Sequence, residues 1–182
     1  MQAGAGAAPT TSKTGGLALT AELDTRRFRD AMRRFATGVT IITTRDGDAV
    51  PVGLTANSFN SVSLTPPLVL WSLNKHSRSL PVFMTADYYA VSVLCSDQKG
   101  LAARFASPID DRFAGIEWHS GATGTPLFDG CVAWFECASV HRHEGGDHII
   151  FVGEVLNFGH SDRIPLLYAG GAYGVPAPHP EA

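Results

Sequence analysis

Apolar residues between Asp24 and Phe35 recur at helical spacing: Phe28, Ala31, Met32 and Phe35 share one stripe, with Arg26, Arg27, Arg33 and Arg34 on other faces. Asp24 is placed as an N-cap, Leu23 and Phe28 as a hydrophobic staple, and Gly38 as the stop. From Val39 the pattern changes to that of strands. VTIITT is β-branched, Asp46-Gly47 marks a turn, and a second strand runs through Val50–Ser58. Leu68–Leu73 is apolar enough to predict a strand buried on both faces. Asn74–Leu80 reads as a polar turn entering a short helix that Ser77 or Ser79 could cap. Tyr88–Cys95 is a further strand, followed by a helix from Ser96 to about Phe105. Trp118–Gly130 reads as loop with one short strand. Cys131–His143 and Asp147–Gly159 alternate on either side of Glu144-Gly145-Gly146 and predict a long hairpin.

Strands outnumber helices about two to one and meet in hairpins. A closed or nearly closed antiparallel barrel with peripheral helices removes the edges that so many strands would otherwise expose. The 182 residues suit one domain, here 23–174, with a small-residue N-terminal tail over 1–22 expected to be disordered and a proline-bearing tail over 175–182. The net charge of −3 without a basic block excludes a nucleic-acid surface, and no apolar run is long enough to span a membrane. Cys95, Cys131 and Cys137 have no CxxC spacing, and the N-terminus lacks the pattern of a secretory signal. These features predict reduced thiols and a cytoplasmic location.

The segment GLTANSFNSVSLTPP, from Gly53 to Pro67, sets hydroxyls and amides between alternating apolar residues. Such a strand and turn can grip a flat, polar-edged ligand, because a rigid backbone holds its donors and acceptors in place. No G-x-G-x-x-G follows a strand, and neither a phosphate-binding lysine loop nor a nucleophile elbow is present. His141, His143 and His148 near Glu144 do not have metal-ligand spacing, so no metal is expected. His148 follows Asp147, which could fix its orientation. Ser77 or Ser79 with Lys75 and Arg78 could form a small anion site, or only a capped surface helix.

Taken together, the helix leading into Gly38-Val39-Thr40, GLTANSFNSVSLTPPLVL, the Ser77 and Ser79 turn, LAARFA over 101–106, GDHIIFVGEV over 146–155 and PLLYAGGAYG over 165–174 resemble the flavin reductase family of the FMN-binding split barrel. The resemblance spans about Asp24 to Gly174. It implies a mainly β, six-stranded antiparallel split barrel with Greek-key-like order, assembled as a homodimer. It also implies an NAD(P)H-dependent flavin reductase (EC 1.5.1.-) that uses FMN or FAD with NADH or NADPH. Such a reductase would supply reduced flavin to a partner monooxygenase of aromatic substrates.

On the matching positions, Thr55, Ala56, Asn57 and Ser58 would bond the isoalloxazine edge and ribityl chain, and Ser61, Val62 and Ser63 would continue the lining. Lys75 and Ser77 would hold the phosphate, with Arg104 and Phe105 nearby. Gly38, Val39 and Thr40 would approach the ring, while His148, the candidate catalytic residue, and Tyr173 would face the nicotinamide. Hydride transfer between two cofactors needs positioning more than acid–base groups, in keeping with the lack of a paired acid and base. A split-barrel protein that only binds flavin or haem is the alternative, and an oxidase of the pyridoxamine-phosphate type is a second.

Overall fold

The computed structural model describes residues 24–179. The expected N-terminal tail, the staple residue Leu23 and residues 180–182 lie outside them; residues 175–179 form neither helix nor strand. Helix α1 (Thr25–Met32) starts where Asp24 accepts from the backbone N–H groups of Arg26 and Arg27. It ends earlier than the apolar spacing suggests. Arg34 and Phe35 turn back onto Ala31 and Met32, and the chain then enters strand β1 (Thr37–Gly38). Gly38 is therefore not the helix stop; it pairs with Leu167.

The principal sheet contains seven strands, not six: β2 (Thr40–Arg45), β3 (Pro51–Ala56), β4 (Asn60–Leu64), β5 (Pro67–Asn74), β6 (Tyr88–Val93), β9 (Ala133–Gly145) and β10 (His148–His160). Their order is β3-β2-β6-β9-β10-β5-β4, with every pair antiparallel. The additional strand is β4, the return of the Asn57–Pro67 segment alongside β5. Two-residue strands β7 (His119–Ser120) and β8 (Pro126–Leu127) bridge the 118–130 loop, where a single strand was expected. Strands β11 (Leu167–Ala169) and β12 (Ala172–Gly174) form a small sheet with β1. Helices α2 (Leu80–Thr85) and α3 (Lys99–Ala106) are peripheral.

The curled sheet encloses Ile42, Leu54, Trp71, Tyr89, Val91, Cys137 and Phe151, drawn from six strands. The Trp71 and Phe151 rings stack at 4.6 Å in its centre. A second core lies outside the barrel, where Val39, Ile41, Leu94, Ala102, Phe105, Phe113 and Phe128 pack under α3. Adjacent residues of β2 serve the two cores, Ile42 inward and Ile41 outward, which is why the VTIITT run is buried throughout. Strand β5 is different: Val69, Trp71 and Leu73 are buried while the alternate residues are half-buried or exposed, so only one of its faces is fully covered. Cys95, Cys131 and Cys137 are free and buried.

The barrel is laced near its split by one side chain. Ser58, two residues beyond β3, accepts from the backbone N–H of Ser72 on β5 at 3.0 Å and donates to its carbonyl at 3.2 Å. Ser58→Val is expected to leave both Ser72 groups without this partner and to lower stability by about 1–3 kcal/mol. Urea denaturation followed by tryptophan fluorescence measures that loss.

Candidate functional site

The open edge of β3 borders a series of clefts. One, of about 240 Å³, is lined by Val39, Thr55, Asn57, Ala106, Tyr168 and Tyr173. A neighbouring cleft of about 380 Å³ shares Asn57 and Tyr168 with it and is walled on the far side by α1. Thr55 and Asn57 of the hydroxyl-rich motif thus meet Tyr168 and Tyr173 from the C-terminal sheet. The Tyr168 and Tyr173 rings pack edge to face at 5.5 Å, and Lys99 Nζ lies 5.9 Å from the Tyr173 ring.

Several of the expected site side chains have structural partners. Thr55 Oγ1 donates to Ala102 O at 2.7 Å, anchoring β3 to α3. Thr40 is buried and donates to Ala56 O at 2.8 Å. Ala56 lies in the barrel core, and the Ser58 hydroxyl is spent on Ser72. Asn57, by contrast, is exposed, and its carboxamide makes no hydrogen bond among the described residues. Of the TANS run, it is the side chain available to a ligand. The hydroxyl of Thr37, in the α1 cleft, is buried and likewise has no hydrogen-bond partner.

Ser61, Val62 and Ser63 run along edge strand β4 and line neither cleft; Ser63 Oγ accepts from the backbone N–H of Thr65. Arg104 and Phe105 also differ from their expected placement. Phe105 is buried, packed edge to face on Phe113 and Phe128. Arg104 donates to the carbonyls of Arg112 and Ala114, both at 2.6 Å, and so pins the 107–115 loop. Gly38 lines neither cleft.

The Asn74–Leu80 turn is largely closed on itself. The backbone N–H groups of His76, Ser77, Ser79 and Leu80 donate to Asn74 Oδ1, Asn74 O, Ser77 Oγ and Ser77 O. Ser79 caps α2 by position only, without a side-chain bond. Lys75 forms an ion pair with Glu144, across the β9–β10 turn. Ser77 opens onto a cleft of about 400 Å³ shared with Arg78, Asp110 and Arg112. Arg78 pairs there with Asp110 at 3.2 Å, and Arg112 donates to Gly53 O and Ser107 O. The latter contacts depend on tertiary packing, and no local signal foretells them.

His148 begins β10 opposite Asn74 of β5. Its Nδ1 lies 2.8 Å from Asp147 Oδ1, the orienting contact expected from their adjacency. The hydrogen bond from His148, together with its charge, holds the Asp147 carboxyl below the usual carboxylate range. His148 and Tyr173 do not share a cleft within one chain. Among the described residues no group of His, Cys, Asp and Glu converges as a metal site, and His141 and His143 only pack ring to ring at 5.8 Å.

The decisive comparison is with sequence families. Residues 32–176 match the flavin reductase like domain. The chain belongs to the flavin reductase family. It is 45% identical over 151 residues to the FMN reductase (NADH) SmoA of Agrobacterium fabrum, covering 83% of this chain and 86% of SmoA. It is 43% identical over 162 residues to HsaB of Rhodococcus jostii, the reductase subunit of a flavin-dependent monooxygenase, covering 88% and 83%. Among solved structures, the NADH:FAD oxidoreductase SgcE6 of Streptomyces globisporus, in complex with NAD and FAD fragments, superposes with a TM-score of 0.81 at 40% identity over 88% of this chain and 99% of that one. The chain spans about half the length of two other relatives it matches, 51% of one from Rhizobium meliloti and 49% of one from Acinetobacter baylyi. This family member has the antiparallel split-barrel architecture of its structural neighbours, with seven strands in the principal sheet.

Proposed function

We propose that this chain is an NAD(P)H:flavin oxidoreductase of the EC 1.5.1 type that transfers hydride from NADH to FMN or FAD and supplies reduced flavin to a separate monooxygenase acting on aromatic substrates. The observation that carries this reading is the cleft beside β3, where a free Asn57 carboxamide meets the Tyr168–Tyr173 pair in a chain of this family. Its residues fit a flat ring with a polar edge. Asn57 offers both a donor and an acceptor to that edge, while Val39, Ala106 and the tyrosines supply apolar walls. A flavin held there supplies the hydride-accepting chemistry.

The rest of the work is positioning. Asn57 fixes the edge of the ring, and the aromatic walls restrict water and limit the approach of a second ring to stacked geometries. Thr55, held by Ala102 O, keeps the β3 backbone in register beneath the ring. His148 orients the nicotinamide carboxamide. The contact of Asp147 with Nδ1 orients the ring and leaves Nε2 for a ligand. Hence His148→Ala should raise the KM for NADH several-fold more than it raises that for flavin; equal losses would remove that role from His148.

A homodimer completes this reading. Val62 and Leu64 on β4 and Leu156 and Phe158 on β10 expose apolar surface, with Leu64 92% and Phe158 65% accessible. The pairing of Leu64 with Pro67 and of Leu68 with Glu154 puts these residues at the same end of the sheet. Such a contiguous face is suited to a second copy in the cytoplasm. Leu64→Asp together with Phe158→Asp is expected to shift the protein from dimer to monomer in sedimentation equilibrium.

The principal test mixes the purified chain with NADH, with and without FMN, FAD or riboflavin, and follows absorbance near 340 nm. Flavin-dependent oxidation is expected, and Asn57→Ala should weaken flavin binding about tenfold, the loss of one or two hydrogen bonds. Flavin binding without NADH oxidation would instead indicate a flavin-holding barrel.

A further inference from the structure

We infer that Lys99 is a positioning residue for hydride transfer: its side-chain cation fixes the Tyr173 ring, and that ring fixes the wall against which the nicotinamide stacks. The inference rests on the flavin reductase function proposed above and adds to it a side chain that lines neither cleft itself.

Tyr173 needs such support because of where it lies. It sits on β12, the outer strand of the small sheet, which pairs only with β11. Each of these strands has three residues, and they are joined through Gly170 and Gly171, whose φ angles of 61° and 87° make a two-residue turn. A hairpin this short is marginal on its own. Its anchors are on the other side, where Tyr168 pairs with Thr37 and the Gly170 N–H donates to Arg33 O. Within the hairpin, Tyr173 meets the ring of Tyr168 directly opposite, at 5.5 Å. The rest of the chain adds contact with the second core and the Lys99 cation, whose Nζ stands 5.9 Å from the centre of the Tyr173 ring. That separation is within the range at which the quadrupole of an aromatic ring attracts a cation.

Helix α3 delivers that cation. Lys99, Ala102 and Ala106 fall at i, i+3 and i+7, on one face of the helix. Ala102 O accepts from Thr55 Oγ1, and Ala106 forms part of the cleft wall with Thr55, Asn57 and Tyr173. The same face therefore carries Lys99 along the cleft to Tyr173. Local chemistry gives no other reason for a lysine there. As the first residue of α3, Lys99 stands at the end of the helix where the dipole disfavours a cation. Among the described residues no carboxylate pairs with it. Asp97, two residues earlier, is engaged by Arg163 at 3.3 Å and by the Cys95 thiol at 2.6 Å. Set against the dipole and without an ion-pair partner, Lys99 has the Tyr173 ring as its interaction.

The test is anaerobic stopped-flow reduction of FMN by saturating NADH, with riboflavin binding followed by fluorescence, in wild type, Lys99→Met, Lys99→Arg, Tyr173→Leu and the double variant Lys99→Met with Tyr173→Leu. Lys99→Met keeps the apolar stem and removes the charge. It is expected to slow FMN reduction about two- to fivefold, the size of an exposed cation–π contact, while riboflavin affinity changes by less than about twofold because Asn57 still holds the ring edge. Lys99→Arg, whose guanidinium also stacks on an aromatic face, should keep the wild-type rate. In the Tyr173→Leu background, Lys99→Met should bring no further loss. Equal slowing in both backgrounds, an arginine variant as slow as the methionine one, an unchanged rate in Lys99→Met, or riboflavin affinity falling in parallel with the rate would overturn the role. The contact itself is read without turnover: in the NMR spectrum the Lys99 ε-methylene protons should lie upfield through the ring current of Tyr173 and return to their ordinary position in Tyr173→Leu. A shift absent from wild type overturns the contact whatever the turnover. Wild type that shows the shift but oxidises no NADH with any flavin overturns the flavin reductase reading instead and leaves the contact between Lys99 and Tyr173 standing.

Discussion

Glu136→Ala is expected to destabilise the protein by about 3–5 kcal/mol, since each donor stranded by the change costs about 1–3 kcal/mol when buried. Glu136 is on β9 with no solvent-accessible surface. Its Oε1 accepts from the backbone N–H and the hydroxyl of Thr123, both at 2.8 Å, and its Oε2 accepts from the Asn157 amide at 3.0 Å. Gly121 permits the approach of that loop, because a Cβ there would lie 2.6 Å from Glu136 Cδ. Burial alone would push this carboxyl up, but the donors from Thr123, Asn157 and Ala122 outweigh it and hold it below its ordinary value of 4.5. With the folded pKa depressed, the stabilisation is fully present above the unfolded value and disappears as pH falls through the folded one. Urea midpoints measured from pH 7 downward should show wild type losing stability below about pH 4.5 and Glu136→Gln losing less over the same interval, from a lower starting point. An unchanged midpoint for Glu136→Ala at pH 7 would show that the carboxylate does not pin the loop.

The second large effect concerns Gly153 on β10. A Cβ at this position would fall inside contact distance of Tyr89 Oη, 2.7 Å from Tyr89 Cζ and 2.9 Å from Cys137 Cβ. Both neighbours are core residues with essentially no exposure, so neither can give way into solvent. Overpacking of a well-filled core costs about 1–3 kcal/mol per added group, and β-branching adds more atoms in the same place. Gly153→Ala is expected to lower the midpoint markedly and Gly153→Val to abolish soluble folded protein. Circular dichroism and gel filtration will show whether either survives. Gly153→Ala combined with Tyr89→Phe, which removes the nearest atom, should recover part of the loss.

The readable parts of the sequence were those with local causes. The long hairpin shows its period of two over thirteen residues on each side of a glycine pair, and the Asp24 cap is fixed by short-range hydrogen bonding. Asn57 and Tyr173 are each singled out by the family resemblance, for opposite sides of the site, and only the folded chain brings them to one cleft. Arg104, Phe105 and Ser58 show the limit of both sources. A motif identifies a position, but whether its side chain turns toward a ligand or toward a loop carbonyl depends on residues far along the chain, as with Arg104 and the 112–114 carbonyls. Arg112 carries no local signal at all, because its partners, Gly53 O and Ser107 O, lie on separate segments. The seventh strand is another case. The turn closing on Pro66 and Pro67 looks like an end, yet the chain pairs back along β5 through that turn.

Helix α1 buries none of its residues, and a backbone bond from Gly170 N–H to Arg33 O ties its C-terminal end to the small sheet. Such a helix contributes little to the cooperative unfolding unit, whose free energy resides in the barrel. Its amides are therefore expected to exchange with deuterium through local opening, orders of magnitude faster than those of β6 and β9, and at a rate insensitive to substitutions such as Glu136→Ala. Slowing of that exchange would report occupancy beside the helix directly, without any turnover being measured.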